Sequence, residues 1–193
     1  MKYIISIIYI PFFIFLIFIT ILVIDNRNYE FLSYDKSSKR IVGGIDITIK
    51  KIIKKSYSKS IINCNNNDLK YNKLAKAIII VEYFNTGYIE YSFEKFAVYT
   101  GLWKFLFYVK DFSVGFPQVK LSNIVNDYPD FELTKLYKYC ESVIFVNSLI
   151  EDIMKNSKAD DMNAIRFYNG QNSRSLSGDI YVNIVIEISK RIK

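Results

Sequence analysis

The chain has 193 residues, 51% hydrophobic and 23% charged, so it holds enough apolar material for a core and is not globally disordered. It contains no histidine, which excludes Ser-His-Asp and Cys-His nucleophile systems and histidine-ligated metals. The formal net charge of +7 suits anionic lipid, anionic cell-wall polymer or nucleic acid, and its sign alone does not choose among them.

The run from Tyr3 to Ile24 is uncharged. Its roughly 22 positions reach about 33 Å as a helix, enough for a hydrocarbon core of about 30 Å. No small-residue cleavage site follows, so an uncleaved transmembrane anchor is expected, with Pro11 tolerated inside it. Lys2 precedes the span, and Arg27, Lys36, Lys39 and Arg40 follow it. The positive-inside count leans toward an internal C-terminus, although long domains are exported largely regardless of such charges. The chain then divides into an anchor at 1–25, a juxtamembrane segment of undecided structure at 26–66, and a domain at 67–193.

Between Arg40 and Cys64 both patterns occur. Ile45, Ile47 and Ile49 alternate like a strand, whereas Lys50-Lys51-Ile52-Ile53-Lys54-Lys55 suits a helix with a solvated or membrane-surface face. No recognition motif accompanies these lysines, so nucleic acid is not an expected partner. Cys64 and Cys140 lack any C-x-x-C neighbour, which excludes a zinc site of the usual spacing. They either pair in an exported domain or are two buried small hydrophobes.

Glu82 has the least ordinary carboxylate context, in Ala77-Ile78-Ile79-Ile80-Val81-Glu82-Tyr83-Phe84. Asn67 or Asp68 can cap a helix running to about Asn85, with Gly87 near its stop and Leu74, Ile78, Val81 and Asn85 as its inward stripe. Glu82 borders that stripe, where desolvation disfavours the charged form, as a general acid requires. The plainer reading is a helix-edge glutamate paired with Lys73 or Lys76.

From Tyr88 to Val109 the chain is aromatic-rich and reads as one or two helices, with Glu90 and Glu94 expected to face solvent. A loop from Lys110 to Phe116 ends at Pro117, a favourable first helical residue, which predicts a short helix from Gln118 to Val125. Further helices are expected over Phe131–Lys155 with one break, over Asp160–Tyr168 stopped by Asn169-Gly170, and from Gly178 or Asp179 to Ile192 with Tyr181, Ile184, Val185 and Ile188 on one face. The fold class is therefore all-α or predominantly α.

Three segments, in this order, resemble the soluble lytic transglycosylase family, whose goose-type-lysozyme-like fold cleaves peptidoglycan between N-acetylmuramic acid and N-acetylglucosamine. The hydrophobic run Ala77-Ile78-Ile79-Ile80-Val81-Glu82 is similar to the family's helix ending in its catalytic glutamate. Ser113-Val114-Gly115-Phe116-Pro117-Gln118-Val119, with Ser122 beyond it, resembles its Ser-x-Gly-apolar-x-Gln element. Ala164-Ile165-Arg166-Phe167-Tyr168-Asn169-Gly170 resembles its Ala-x-x-Tyr-Asn helix end. The likeness spans about Leu74 to Ile188. Tyr83 stands where the family usually has serine, Pro117 replaces a common methionine, and the stretch between Glu82 and Gly115 is longer and more aromatic.

The resemblance implies a lysozyme-like helical domain and a lyase-type cleavage without metal or cofactor. Glu82 would act as acid and then base, Ser113 and Gln118 would contact glycan, Tyr168 would lie beside the acid, and Asn169 would hold the helix end that aims Tyr168. Peptidoglycan strands are the expected partner, with the membrane reached through the N-terminal helix of a single-pass inner-membrane protein whose domain faces the periplasm or cell wall. An envelope assembly partner would be unidentified. Asp111 is a second carboxylate that a hydrolytic variant could use. Two other readings are a non-catalytic scaffold or peptidoglycan-binding protein of the same fold, and a membrane-surface or pore-forming protein using the lysine-isoleucine run and the aromatics near Trp103.

Overall fold

A computed structural model describes residues 34–35, 40–41, 45–65, 68–86, 88–108, 111–158, 160–170 and 176–192. The expected anchor, 3–24, lies outside the described residues. No described helix is long and apolar enough to cross a membrane. The described chain is mostly helical, in agreement with the expected class. Two short strands, β1 (Tyr34–Asp35) and β2 (Arg40–Ile41), pair antiparallel ahead of the helices.

The undecided stretch before Cys64 forms two helices, α1 (Ile45–Lys54) and α2 (Ser56–Ile62). In the lysine-isoleucine run, Ile52 is buried beside Lys54 and Lys55, which are exposed. Ile49, Ile52, Ile61 and Cys64 all enter the main core, so the helical body extends to the N-terminal side of residue 67. The Ser58 hydroxyl donates to the Ile52 carbonyl at 2.7 Å, tying α2 back to α1.

Helix α3 (Asn72–Asn85) is the centre of the molecule. Every residue from Leu74 to Val81 is buried, so the helix is enclosed on all sides and not along one stripe. A run of three isoleucines is a weak intrinsic helix former, and this burial is what holds it helical. The helix begins at Asn72 rather than at a cap on Asn67 or Asp68, its N-cap Tyr71 making no side-chain bond. The Tyr71 N–H instead donates to the Asn147 side chain at 2.8 Å. At the far end the Thr86 N–H and hydroxyl both donate to the Glu82 carbonyl, at 2.9 and 2.8 Å. Lys76 is buried inside this helix, its ammonium donating to the Ile62 carbonyl at 2.9 Å, and desolvation lowers its pKa.

Helices α4 (Tyr88–Thr100) and α5 (Trp103–Phe107) follow, separated by Gly101 at φ +76°. A hairpin of β3 (Ser113–Val114) and β4 (Val119–Lys120) comes next, then α6 (Leu121–Asp127), a 3-10 helix (Leu133–Tyr137), α7 (Tyr139–Ser157), α8 (Asp161–Tyr168) and α9 (Leu176–Arg191). Helix α3 packs chiefly on α7 and α9, and α8 bridges those two. Cys64 and Cys140 form a disulfide with Cα atoms 5.3 Å apart, joining the end of α2 to the start of α7.

Candidate functional site

The hairpin is the largest departure from expectation. Pro117 does not open a helix; it lies in the turn between paired strands whose register sets Ser113 opposite Lys120 and Val114 opposite Val119. Two left-handed residues close the turn, Gly115 at φ +74° and Gln118 at φ +52°. At Gly115 a side chain has no room, since a Cβ would lie 2.4 Å from the Leu136 Cβ and 2.7 Å from the Leu136 oxygen. Phe116 anchors the turn. Its N–H donates to the Leu136 carbonyl at 2.9 Å, and its ring stacks on Tyr139 at 4.5 Å and meets Tyr83 edge-on at 4.8 Å.

Gln118 is held by two bonds from its amide nitrogen, to the Gly115 carbonyl and to the Glu94 carboxylate, each 2.9 Å. Because a carboxylate only accepts, the nitrogen must face Glu94, and the amide oxygen has no hydrogen-bond donor among the described residues. Glu94 was expected at the surface, yet it is 3% exposed. Its partner Gln118 lies 24 positions away, beyond the reach of a local helical pattern. Bonding and burial offset the unfavourable left-handed backbone of Gln118, typically about 1–3 kcal/mol.

A groove of 890 Å³ runs beside the hairpin, toward the upper end of the roughly 300–1,000 Å³ usual for ligand sites. It brings together all five residues singled out from sequence: Glu82, Ser113, Gln118, Tyr168 and Asn169. They come from the last turn of α3, strand β3 and the hairpin turn after it, and the last residue and C-cap of α8. Helix α8 is set by Asp160, whose carboxylate accepts the Asn163 N–H at 2.8 Å, and it stops at Asn169, whose N–H returns to Ile165 at 3.1 Å.

Glu82 is partly buried and accepts a hydrogen bond from the Tyr181 hydroxyl of α9 at 2.5 Å. Sequence reasoning missed this partner, having assigned Tyr181 only to an apolar face. The Tyr168 hydroxyl donates instead to the Pro117 carbonyl at 2.6 Å, locking the end of α8 to the hairpin turn. Burial first, and the negative charge of Glu82 second, hold both phenols well above their ordinary pKa, so they are neutral donors. Lys76 bonds to Ile62 as described, so the simple Glu82–Lys76 pair does not form.

Asp111 is engaged elsewhere. Its two oxygens accept the Ser122 N–H at 3.0 Å and the Ser122 hydroxyl at 2.7 Å, so it fixes the start of α6, and it is not among the groove residues. The groove is also lined by Asn123, Tyr128, Asp152 and Phe167, a mixture of amide, carboxylate and ring surface that suits a polyhydroxylated ligand with apolar faces. The Tyr128 hydroxyl donates to Asp152 at 2.6 Å. No cluster of metal-ligating side chains occurs among the described residues. Comparison with known proteins returns no match among family models, curated proteins or solved structures.

Proposed function

We propose that this chain is a membrane-anchored peptidoglycan lytic transglycosylase with a lysozyme-like domain, cutting the bond between N-acetylmuramic acid and N-acetylglucosamine with Glu82 as its single acid and base. One observation carries the reading. Five residues chosen on motif resemblance, spread over 88 positions of chain, line the same groove.

Glu82 stands in the last turn of α3, half-buried and hydrogen-bonded to the Tyr181 hydroxyl. Protonated Glu82 gives its proton to the bridging oxygen as the bond from C1 to that oxygen breaks. The muramic acid's own 6-hydroxyl attacks C1, and the carboxylate takes back that hydroxyl proton, leaving a 1,6-anhydro end and a regenerated acid. The nucleophile belongs to the substrate, so no bound water or second carboxylate is needed, and proximity supplies much of the rate. Tyr181 orients the carboxyl group. Ser113, whose hydroxyl has no partner among the described residues, and the Gln118 amide oxygen would bind the sugar, while the Tyr168–Pro117 bond fixes the distance across the groove.

The disulfide supports an exported domain, because such bonds persist in oxidising compartments such as the periplasm. The test is mass spectrometry of muropeptides released from purified peptidoglycan by the detergent-solubilised full chain and its Glu82→Gln variant. Anhydro-ended products from the parent alone are expected. Reducing ends would indicate a hydrolase, and no release by folded protein would favour a non-catalytic scaffold or glycan-binding role.

A further inference from the structure

The outward side of α4 and α5 has the wrong chemistry for water. Along α4, Glu94, Ala97 and Val98 turn inward. The solvent-facing arc, normally the polar one, instead carries Phe96 and Tyr99, 59% and 55% exposed. After the turn at Gly101 the pattern continues through Leu102, Phe105 and Tyr108, of which Phe105 and Tyr108 are 68% and 89% exposed. The two helices contact each other, so these side chains belong to one region of the surface.

Its charge has a single sign. Lys95 and Lys104 are exposed, their ammonium groups 5.8 Å from the Tyr99 ring centroid and 5.9 Å from that of Trp103. The only carboxylate between residues 91 and 108 is Glu94, which is turned into the protein toward Gln118. Aromatic rings with polar tips beside long cationic chains are the composition of a surface that sits at the headgroup level of a membrane: the rings enter the interface, and lysines reach up to lipid phosphates.

We infer that the outer face of α4 and α5 docks on an anionic lipid bilayer. The occupant follows from charge complementarity, and the apolar run 3–24 of the same chain is long enough to hold the domain within reach of that surface. The inference is independent of glycan cleavage. Since the face belongs to the segment between Glu82 and the hairpin, docking would fix how the groove is presented to its substrate.

Trp103 is the single tryptophan of the chain and lies in this region, so its emission reports on the face itself and not on the anchor. The full chain is reconstituted into vesicles of phosphatidylcholine alone or mixed with phosphatidylglycerol, with and without brominated acyl chains. A blue shift and bromine quenching of Trp103 in the anionic vesicles are expected. With about 1 kcal/mol per lysine, the combined Lys95→Gln and Lys104→Gln variant lowers the ratio of quenched to unquenched tryptophan about 30-fold. Phe96→Ser with Phe105→Ser, both at exposed positions, lowers it as well while leaving the helical circular dichroism unchanged. The proposal is overturned by unquenched Trp103 in anionic vesicles, by equal quenching in both lipid mixtures, or by quenching that survives loss of both lysines. It is equally overturned by a blue shift that grows with protein concentration in detergent without lipid, which would assign the face to a second copy.

Discussion

Replacing Cys64 and Cys140 together by alanine removes the covalent link between the end of α2 and the start of α7 without leaving a new polar group in the core. The bond spans 76 positions. In the chain-entropy model a loop of that length restricts the unfolded ensemble by about 15 cal/mol/K, or about 4.5 kcal/mol at 25 °C. For a body of this size such a loss lowers Tm by on the order of 10–18 °C. Cys140 is exposed, so a reductant should reproduce the effect in the parent protein. The assay is urea unfolding of parent and double variant in one detergent, followed by helical circular dichroism, with a repeat of the parent under thiol reductant. A deficit below about 2 kcal/mol would refute the loop-entropy reasoning.

Tyr181→Phe deletes the hydroxyl donated to Glu82 and leaves the ring in place. A bond to a charged acceptor is worth about 1.5–3 kcal/mol, so peptidoglycan turnover should fall about 10-fold or more in kcat with little change in KM, because Tyr181 does not line the groove. Gly115→Ala must force a Cβ against Leu136 in a left-handed backbone, and denaturant titration should show a loss of about 2–4 kcal/mol. Alkaline pH should also destabilise the protein. Burial raises the phenol of Tyr57 from 10.0 to about 12 and pushes Tyr91, Tyr137, Tyr168 and Tyr181 further in the same direction. Above about pH 10 the unfolded chain loses these protons while the native state keeps them. The contribution is therefore complete well below that pH and is lost as pH rises toward the folded values, and urea midpoints should hold at pH 8, begin to fall at pH 10 and fall steeply by pH 11.

Local signals located the elements that end on their own punctuation. Helix α8 was expected over Asp160–Tyr168 and runs Asp161–Tyr168 with Asp160 as its cap and Asn169 as its stop, and α3 ends at Asn85 as expected. That Glu82, Ser113, Gln118, Tyr168 and Asn169 share one groove could be anticipated only through motif resemblance, since nothing local ties Ser113 to Asn169. What escaped depends on distant partners. Glu94 is inward because Gln118 receives it, and Tyr181 reaches Glu82 across 99 positions. The hairpin escaped because its two-residue strands are too short to display alternation, and Pro117 fits a turn as readily as a helix start.

The enclosure of α3 also governs when the protein can exist at all. Eight successive buried positions, 74–81, need α9 as one wall, and the tyrosine that meets Glu82 belongs to that wall. A ribosome finishes α3 nearly a hundred residues before it delivers Tyr181. Through that interval the nascent chain has an unsealed core and lacks the tyrosine that meets Glu82, so the body cannot close around α3 before α9 has been made. Closure of the core is thus coupled to the arrival of α9, which makes a late-synthesised helix the step that completes the fold.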